Sequence, residues 1–122
     1  MKLEDWIDSA LILREPADSC QHAVEKLSAL LQRQGCVTSA EAFRLAVMRH
    51  EAEAASELSP QIAIPHATSD TVMKPAVALG RTADGQTVFL IASDNADNHI
   101  RTLSELAGML LEGECAATLF DE

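Results

Sequence analysis

The sequence predicts a single layered α/β domain over residues 1–122, with helices flanking a sheet of mixed parallel and antiparallel strands. Two helical patterns come first, short apolar runs separated by turn residues follow from Leu58 onward, and a third helical pattern ends the chain. The length of 122 residues is typical of one domain. Because 48% of the residues are apolar and only 3% aromatic, the predicted core is aliphatic.

Three segments space their apolar residues as an amphipathic helix does. A glycine follows the first and the third of them, where it is a natural C-terminal stop. Before the second, Thr38 with Glu41 three residues later has the form of a capping box. The predicted helices run over 18–33, over about 39 to 49 or 50, and over 97–111.

Short apolar runs predict the strands of the sheet. One lies early in the chain and is ended by Pro16, and a turn signal at 83–86 joins the last two runs into a predicted hairpin. The predicted strands lie at 10–13, 62–64, 76–79 and 88–92.

Charge and composition exclude several classes of function. Nine Lys and Arg stand against nineteen Asp and Glu, and a net charge of -10 would repel a nucleic-acid backbone. We find no basic segment followed by an apolar run at the start and no apolar stretch of membrane-spanning length, which predicts a soluble cytoplasmic protein. Three widely spaced cysteines favour reduced thiols over a disulfide framework or a zinc site.

Four histidines are the candidates for chemistry: His22, His50, His66 and His99. None forms a pair at metal-ligand spacing on one helix, and no glycine-rich phosphate loop is present, so neither a metal nor a nucleotide cofactor is predicted.

His66 stands apart because a proline directly precedes it. Pro65 lacks an amide donor and favours an extended Ile64, so we expect the strand to end there and to hold His66 at its rim. A neutral imidazole has a free lone pair that can attack phosphorus. The hydroxyls of Thr68 and Ser69 could donate to phosphoryl oxygens. From these residues alone, an ordinary solvated histidine is the favoured interpretation, because most loop histidines are merely solvated.

The hexapeptide Ile-Ala-Ile-Pro-His-Ala at 62–67, followed by His99, Ile100 and Leu103, resembles the IIA component of the bacterial phosphotransferase system, fructose and mannitol type. Nitrogen-regulatory IIA proteins are related to this family. The similarity runs from about Leu3 to about Leu119. The stretch 75–89 is shorter here than in the family, which predicts that one strand or hairpin is missing.

The resemblance implies a phosphocarrier without a cofactor. His66 would accept a phosphoryl group from the phosphorylated histidine-containing carrier protein and pass it to a cysteine of a IIB component, with the membrane involved only through the IIC component. His99 would stabilise the phosphoryl group. The family has an arginine near the end of its second helix, where this chain has Arg49 or, in the matching position, His50. Ser56 stands where the family usually has threonine.

The resemblance leaves two roles open. One is phosphate transfer during sugar uptake. The other is a regulatory IIA-like protein whose phosphorylation state controls partner binding.

Overall fold

The computed structural model describes residues 2–53 and 57–120. After a short first helix, two long helices are followed by five strands and a third long helix, with two single 3₁₀ turns at Ser9–Leu11 and Ala117–Phe120. The helices are α1 (Leu3–Trp6), α2 (Cys20–Arg33), α3 (Ala40–Glu53) and α4 (Ala96–Leu111); the strands are β1 (Glu57–Ser59), β2 (Ile62–Ala63), β3 (His66–Thr68), β4 (Ala76–Arg81) and β5 (Thr87–Ser93).

Strand β5 is the centre of the sheet. The predicted hairpin is confirmed, because β4 pairs with β5 in antiparallel orientation. On the other side of β5 lie β2 and β3, both parallel to it, and β1 pairs antiparallel with β2. The mixed sheet flanked by helices confirms the predicted fold class.

The strand ends before Pro65, as predicted, but a further strand, β3, begins directly after the proline at His66. Ile62 pairs with Thr87 and His66 with Ile91, so the pairs before and after the proline share the same residue offset. β2 and β3 are therefore one path along β5, interrupted at the proline. Pro65 is tolerated because its carbonyl still accepts a hydrogen bond from the Ile91 amide at 3.0 Å, although its nitrogen cannot donate.

Side chains of β5 alternate between two apolar clusters, one on each face of the sheet. Val88, Leu90 and Ala92 pack with α2 and α3, whereas Phe89 and Ile91 pack with α4 and both chain ends. All five are buried. A strand covered on both faces requires a continuous apolar run, and the sequence has one at 88–92.

The three long helices are confirmed, with shifted ends. α2 and α4 stop before Gly35 and Gly113, and both glycines have the positive φ that L-residues avoid (77° and 90°). α3 extends to Glu53, beyond the predicted end at 49 or 50. α1, β1 and β3 were not predicted, because each is too short to carry a recognisable period.

The predicted strand at 10–13 is wrong over most of its length. Residues Ser9–Leu11 form a 3₁₀ turn, because the Asp8 carboxylate accepts a hydrogen bond from the Ala10 amide at 2.9 Å. The chain becomes extended only afterwards, where the Leu13 amide donates to the Leu79 carbonyl and the Ala17 amide to the Arg81 carbonyl, both at 2.8 Å. This segment lies along the outer edge of β4.

The predicted capping box at Thr38 and Glu41 is also wrong. The residue that caps α3 is Ser39, whose hydroxyl accepts from the Ala42 amide at 3.2 Å. The Thr38 backbone is engaged elsewhere, since its amide donates to the Thr71 carbonyl at 2.8 Å.

We predict that Ser39→Ala lowers the free energy of unfolding by about 1 kcal/mol, because an amide of the first turn of α3 loses its acceptor. Thr38→Ala is the matched control and should change the stability by less than about 0.5 kcal/mol. Urea denaturation of the three proteins measures both values. A larger loss in the Thr38 variant would contradict the assignment of the cap.

Candidate functional site

His66 begins β3 and is half-buried. It pairs directly with Ile91 across the parallel ladder, and directly paired residues point to the same face of a sheet. Because Ile91 belongs to the cluster beneath α4, the His66 imidazole lies on the α4 face. Ala67, the next residue, points to the opposite face and is buried with α2 and α3.

A backbone hydrogen bond fixes the state of the His66 ring. Its Nδ1 lies 2.6 Å from the carbonyl oxygen of Ile64. A carbonyl oxygen only accepts, so Nδ1 carries the proton and, in the neutral ring, Nε2 keeps its lone pair. The tautomer therefore leaves Nε2 as the nucleophilic nitrogen.

His50, in the last turn of α3, lies beside His66 with the ring centroids 4.3 Å apart and the planes at 56°. α3 contacts β3, and it packs on the face of the sheet opposite to the face that α4 covers. Arg49 is exposed, and one step along a helix turns a side chain by about 100°. Of the two alternatives at the end of this helix, the structure brings His50, and not Arg49, to His66.

His99 lies on the other side of His66, with the ring centroids 4.6 Å apart and the planes at 43°. It sits close to the N-terminus of α4, which Asn95 caps by accepting a hydrogen bond from the Asn98 amide at 2.9 Å. We call His50, His66 and His99 the histidine cluster. Three elements that are distant in sequence contribute one imidazole each.

The surroundings of His99 oppose its protonation. Burial lowers the pKa of its imidazole below the usual value, and the like charges of His66 and His50 lower it further. Its Nδ1 is buried and makes no hydrogen bond to another described residue. The neutral form of the His99 ring is thus favoured, and this form can offer a hydrogen bond to a group bound at His66.

The predicted hydroxyl donors differ in availability. Thr68 is exposed and lies on the same face of β3 as His66. The Ser69 hydroxyl is already 2.9 Å from that of Thr71, and its amide donates to the Ser93 carbonyl at 3.1 Å. Thr68 is the freer of the two. Ser56 lies outside the described residues.

Two contributors to the site were missed in the sequence. The Ile64 carbonyl selects the tautomer of His66, but every residue has a carbonyl and no pattern singles this one out. Asn95 orients the start of α4, and an asparagine directly before an apolar helical pattern is a recognisable cap signal.

The chemistry that this arrangement supports is nucleophilic. One ring nitrogen is free, and an imidazole flanks it on each side, which suits attack on an electrophile that carries negative charge. Within the described part of the chain, no group of three or more His, Cys, Asp or Glu side chains has the arrangement of a metal site. None of the described helices is both long and apolar enough to cross a membrane.

The model of the family "Phosphoenolpyruvate-dependent sugar phosphotransferase system, EIIA 2" matches residues 7–121. The fructose-specific EIIA component of Haloferax volcanii is 29% identical over 89% of this chain and 79% of the relative. The fructose-specific EIIABC component of Bacillus subtilis is 27% identical over 83% of this chain. This chain spans only 18% of the length of that relative.

Solved structures share the fold. The mannitol IIA protein of Escherichia coli matches with a TM-score of 0.68 at 25% identity, covering 84% of this chain and 81% of that one. The nitrogen regulatory protein IIA-Ntr of Neisseria meningitidis matches with a TM-score of 0.74 at 23% identity, covering 97% and 90%. In a complex of mannitol IIA with phosphorylated mannitol IIB from Escherichia coli, the match has a TM-score of 0.72 at 23% identity, over 85% and 81%.

The family model covers nearly the whole chain, and the histidine that its hexapeptide singled out lies in the cluster described above. The chain belongs to the EIIA 2 family of the phosphoenolpyruvate-dependent sugar phosphotransferase system.

Proposed function

We propose that this protein is a phosphocarrier whose His66 is phosphorylated at Nε2 by the phosphorylated histidine-containing carrier protein. The observation that carries the proposal is the hydrogen bond from Nδ1 to the Ile64 carbonyl at 2.6 Å, because it leaves Nε2 unprotonated. The two flanking imidazoles supply the groups that a transferred phosphoryl needs around it. The protein would thus act as a phosphotransferase with a phosphohistidine intermediate.

In the proposed step, the lone pair of Nε2 forms a bond to phosphorus while the phosphorus–nitrogen bond of the carrier breaks. The electron pair of the broken bond returns to the carrier histidine. The proton on Nδ1 stays on His66 and keeps its hydrogen bond to Ile64. The product ring is consequently an imidazolium, which is a good leaving group for the next transfer.

Negative charge spreads over the three equatorial oxygens of the phosphoryl group during such a transfer. The rings of His99 and His50 both lie against the His66 ring, where they would donate hydrogen bonds to those oxygens. Thr68 is a further donor on the same strand face. Stabilisation by fixed donors is the main contribution that a protein makes to this chemistry.

The second half of the proposal is transfer to a cysteine of a IIB component for sugar uptake. Family membership and the fructose-specific names of two relatives support it, and the solved complex pairs mannitol IIA with phosphorylated mannitol IIB. We place the protein in the cytoplasm, in contact with the membrane only through the IIC component.

A regulatory role is the second candidate, favoured by the fold similarity to a nitrogen regulatory IIA protein. Both roles use the same scaffold and the same phosphohistidine, so the fold does not separate them. They differ in whether a IIB cysteine takes the phosphoryl group away.

We predict that phosphoenolpyruvate, Enzyme I and the carrier protein together label this protein with an acid-labile, base-stable phosphate, and that His66→Ala abolishes the label. His22→Ala is the matched control, because His22 is a half-buried histidine on α2 outside the histidine cluster. Labelling with radioactive phosphoenolpyruvate measures the result. Full labelling of the His66 variant would refute the assignment.

The choice between Arg49 and His50 gives a second prediction. His50→Ala should slow phosphorylation of His66 by roughly 100-fold, because one group beside the developing charge is lost. Arg49→Ala should stay close to wild type, since Arg49 is exposed. Rapid-quench kinetics under limiting carrier protein compares the two variants, and the opposite order would transfer the role to Arg49.

For the transport role, we predict that the phosphorylated protein loses its label when a fructose-type IIB component is added and that the label appears on the IIB cysteine. A IIB variant with serine at that cysteine is the control and should leave the label in place. Retention of the label beside an active IIB would favour the regulatory role.

A further inference from the structure

His66 stands between two helix ends of opposite polarity. His50 lies in the last turn of α3, and His99 lies near the start of α4. A helix carries partial negative charge at its C-terminus and partial positive charge at its N-terminus. A cation is consequently favoured at His50 and disfavoured at His99, although both rings lie within 4.6 Å of the His66 ring.

Burial acts in the same direction at His99. It lowers the pKa of that imidazole, and any charge on His66 or His50 adds to the effect. His99 is accordingly the member of the cluster that stays neutral when a proton enters the site.

Most of the other charged groups on the surrounding elements are exposed to solvent. On α3, Arg49 is exposed and Glu51 is half-buried. On the loop after β3, Asp70 is exposed, and so are Asp97 and Arg101 on α4. Solvent screens charges in exposed positions, whereas the His66 ring lies directly against the rings of His50 and His99.

Phosphoryl transfer changes the net charge of the His66 side chain by one negative unit, because the neutral ring gains the elements of metaphosphate. The phosphoryl oxygens carry that charge toward the flanking rings. An imidazole near such a charge binds a proton more tightly.

Resting on the proposed phosphocarrier function, we propose that phosphorylation of His66 is coupled to the uptake of a proton by His50, while His99 remains a neutral hydrogen-bond donor. The proton comes from solvent and forms an N–H bond on the free nitrogen of the His50 ring. The phosphorylated form therefore binds more protons than the resting form, and falling pH favours it.

The direction follows from linkage. A group whose pKa is higher in the phosphorylated form than in the resting form stabilises the phosphorylated form. This stabilisation is complete at low pH and is lost as the pH rises through the pKa of the group in the phosphorylated form. For uptake of a single proton, the phosphorylation equilibrium changes by up to about tenfold per pH unit.

The test is a competition in one tube between wild type and a variant of residue 50, sharing a limiting pool of phosphorylated carrier protein. Titration of the carrier affects both proteins equally and cancels in the ratio of their phosphorylated fractions. His50→Arg fixes a positive charge at this position, and His50→Gln removes the possibility of one. Wild type labelled with ¹⁵N is distinguished from the variant by native mass spectrometry, from about pH 5.5 to about pH 8.5 around the imidazole value.

In each competition, the ratio is the phosphorylated fraction of wild type divided by that of the variant. Wild type should match His50→Arg at the acid end and His50→Gln at the alkaline end, so this ratio falls as the pH rises for both variants. His22→Arg is the control and should keep a constant ratio, because His22 lies on α2 outside the cluster. Circular dichroism and urea denaturation establish that each variant is folded, and either variant alone suffices to detect the change in ratio.

Ratios that do not vary with pH would overturn the inference. A pH dependence shared by wild type, His50→Arg and His50→Gln would also overturn it, because the proton would then belong to another group. Absence of phosphorylation in wild type at every pH is a different result, because it would refute the proposed function itself.

Discussion

The pairing of β2 and β3 with β5, in one uninterrupted register across Pro65, is the constraint on which the site depends. The proline removes one donor from the ladder, yet its carbonyl still binds the Ile91 amide, so the second half of the path cannot slip relative to the first. A shift of one residue would turn His66 from the α4 face to the α3 face and bury it in the apolar cluster there. The same interruption leaves the Ile64 carbonyl directed at Nδ1 of His66 instead of at a neighbouring strand.

The buried central strand makes this register firm. β5 contributes side chains to both apolar clusters, and each cluster holds one group of helices against the sheet. α3 and α4 are thereby fixed on opposite faces, and their ends meet at the beginning of β3. The opposite polarity of those two ends at His66 follows from the packing alone.

Mutually consistent local signals made most of the fold predictable. Apolar spacing and glycine stops located α2 and α4, and the turn at 83–86 located the β4–β5 hairpin. Errors arose where one local signal competed with another. Thr38 and Ser39 are both good caps, and only the bond between the Thr38 amide and the Thr71 carbonyl decides in favour of Ser39. Likewise, Asp8 bends a run of apolar residues that would otherwise be extended.

The sequence by itself determined the order of the elements, the aliphatic core and the singular position of His66 behind a proline, because these depend on spacing along the chain. It also supplied His99 through resemblance to a family. Only the tertiary structure placed the His50 ring against His66, left Arg49 exposed and selected the tautomer of His66. The placement of His50 rests on the packing of α3 against β3, two elements distant in sequence. The tautomer rests on the carbonyl of Ile64, only two residues before His66, which local spacing does not distinguish from any other. The lowered pKa of His99 likewise depends on the fold, because burial and the two neighbouring imidazoles exist only in the folded chain.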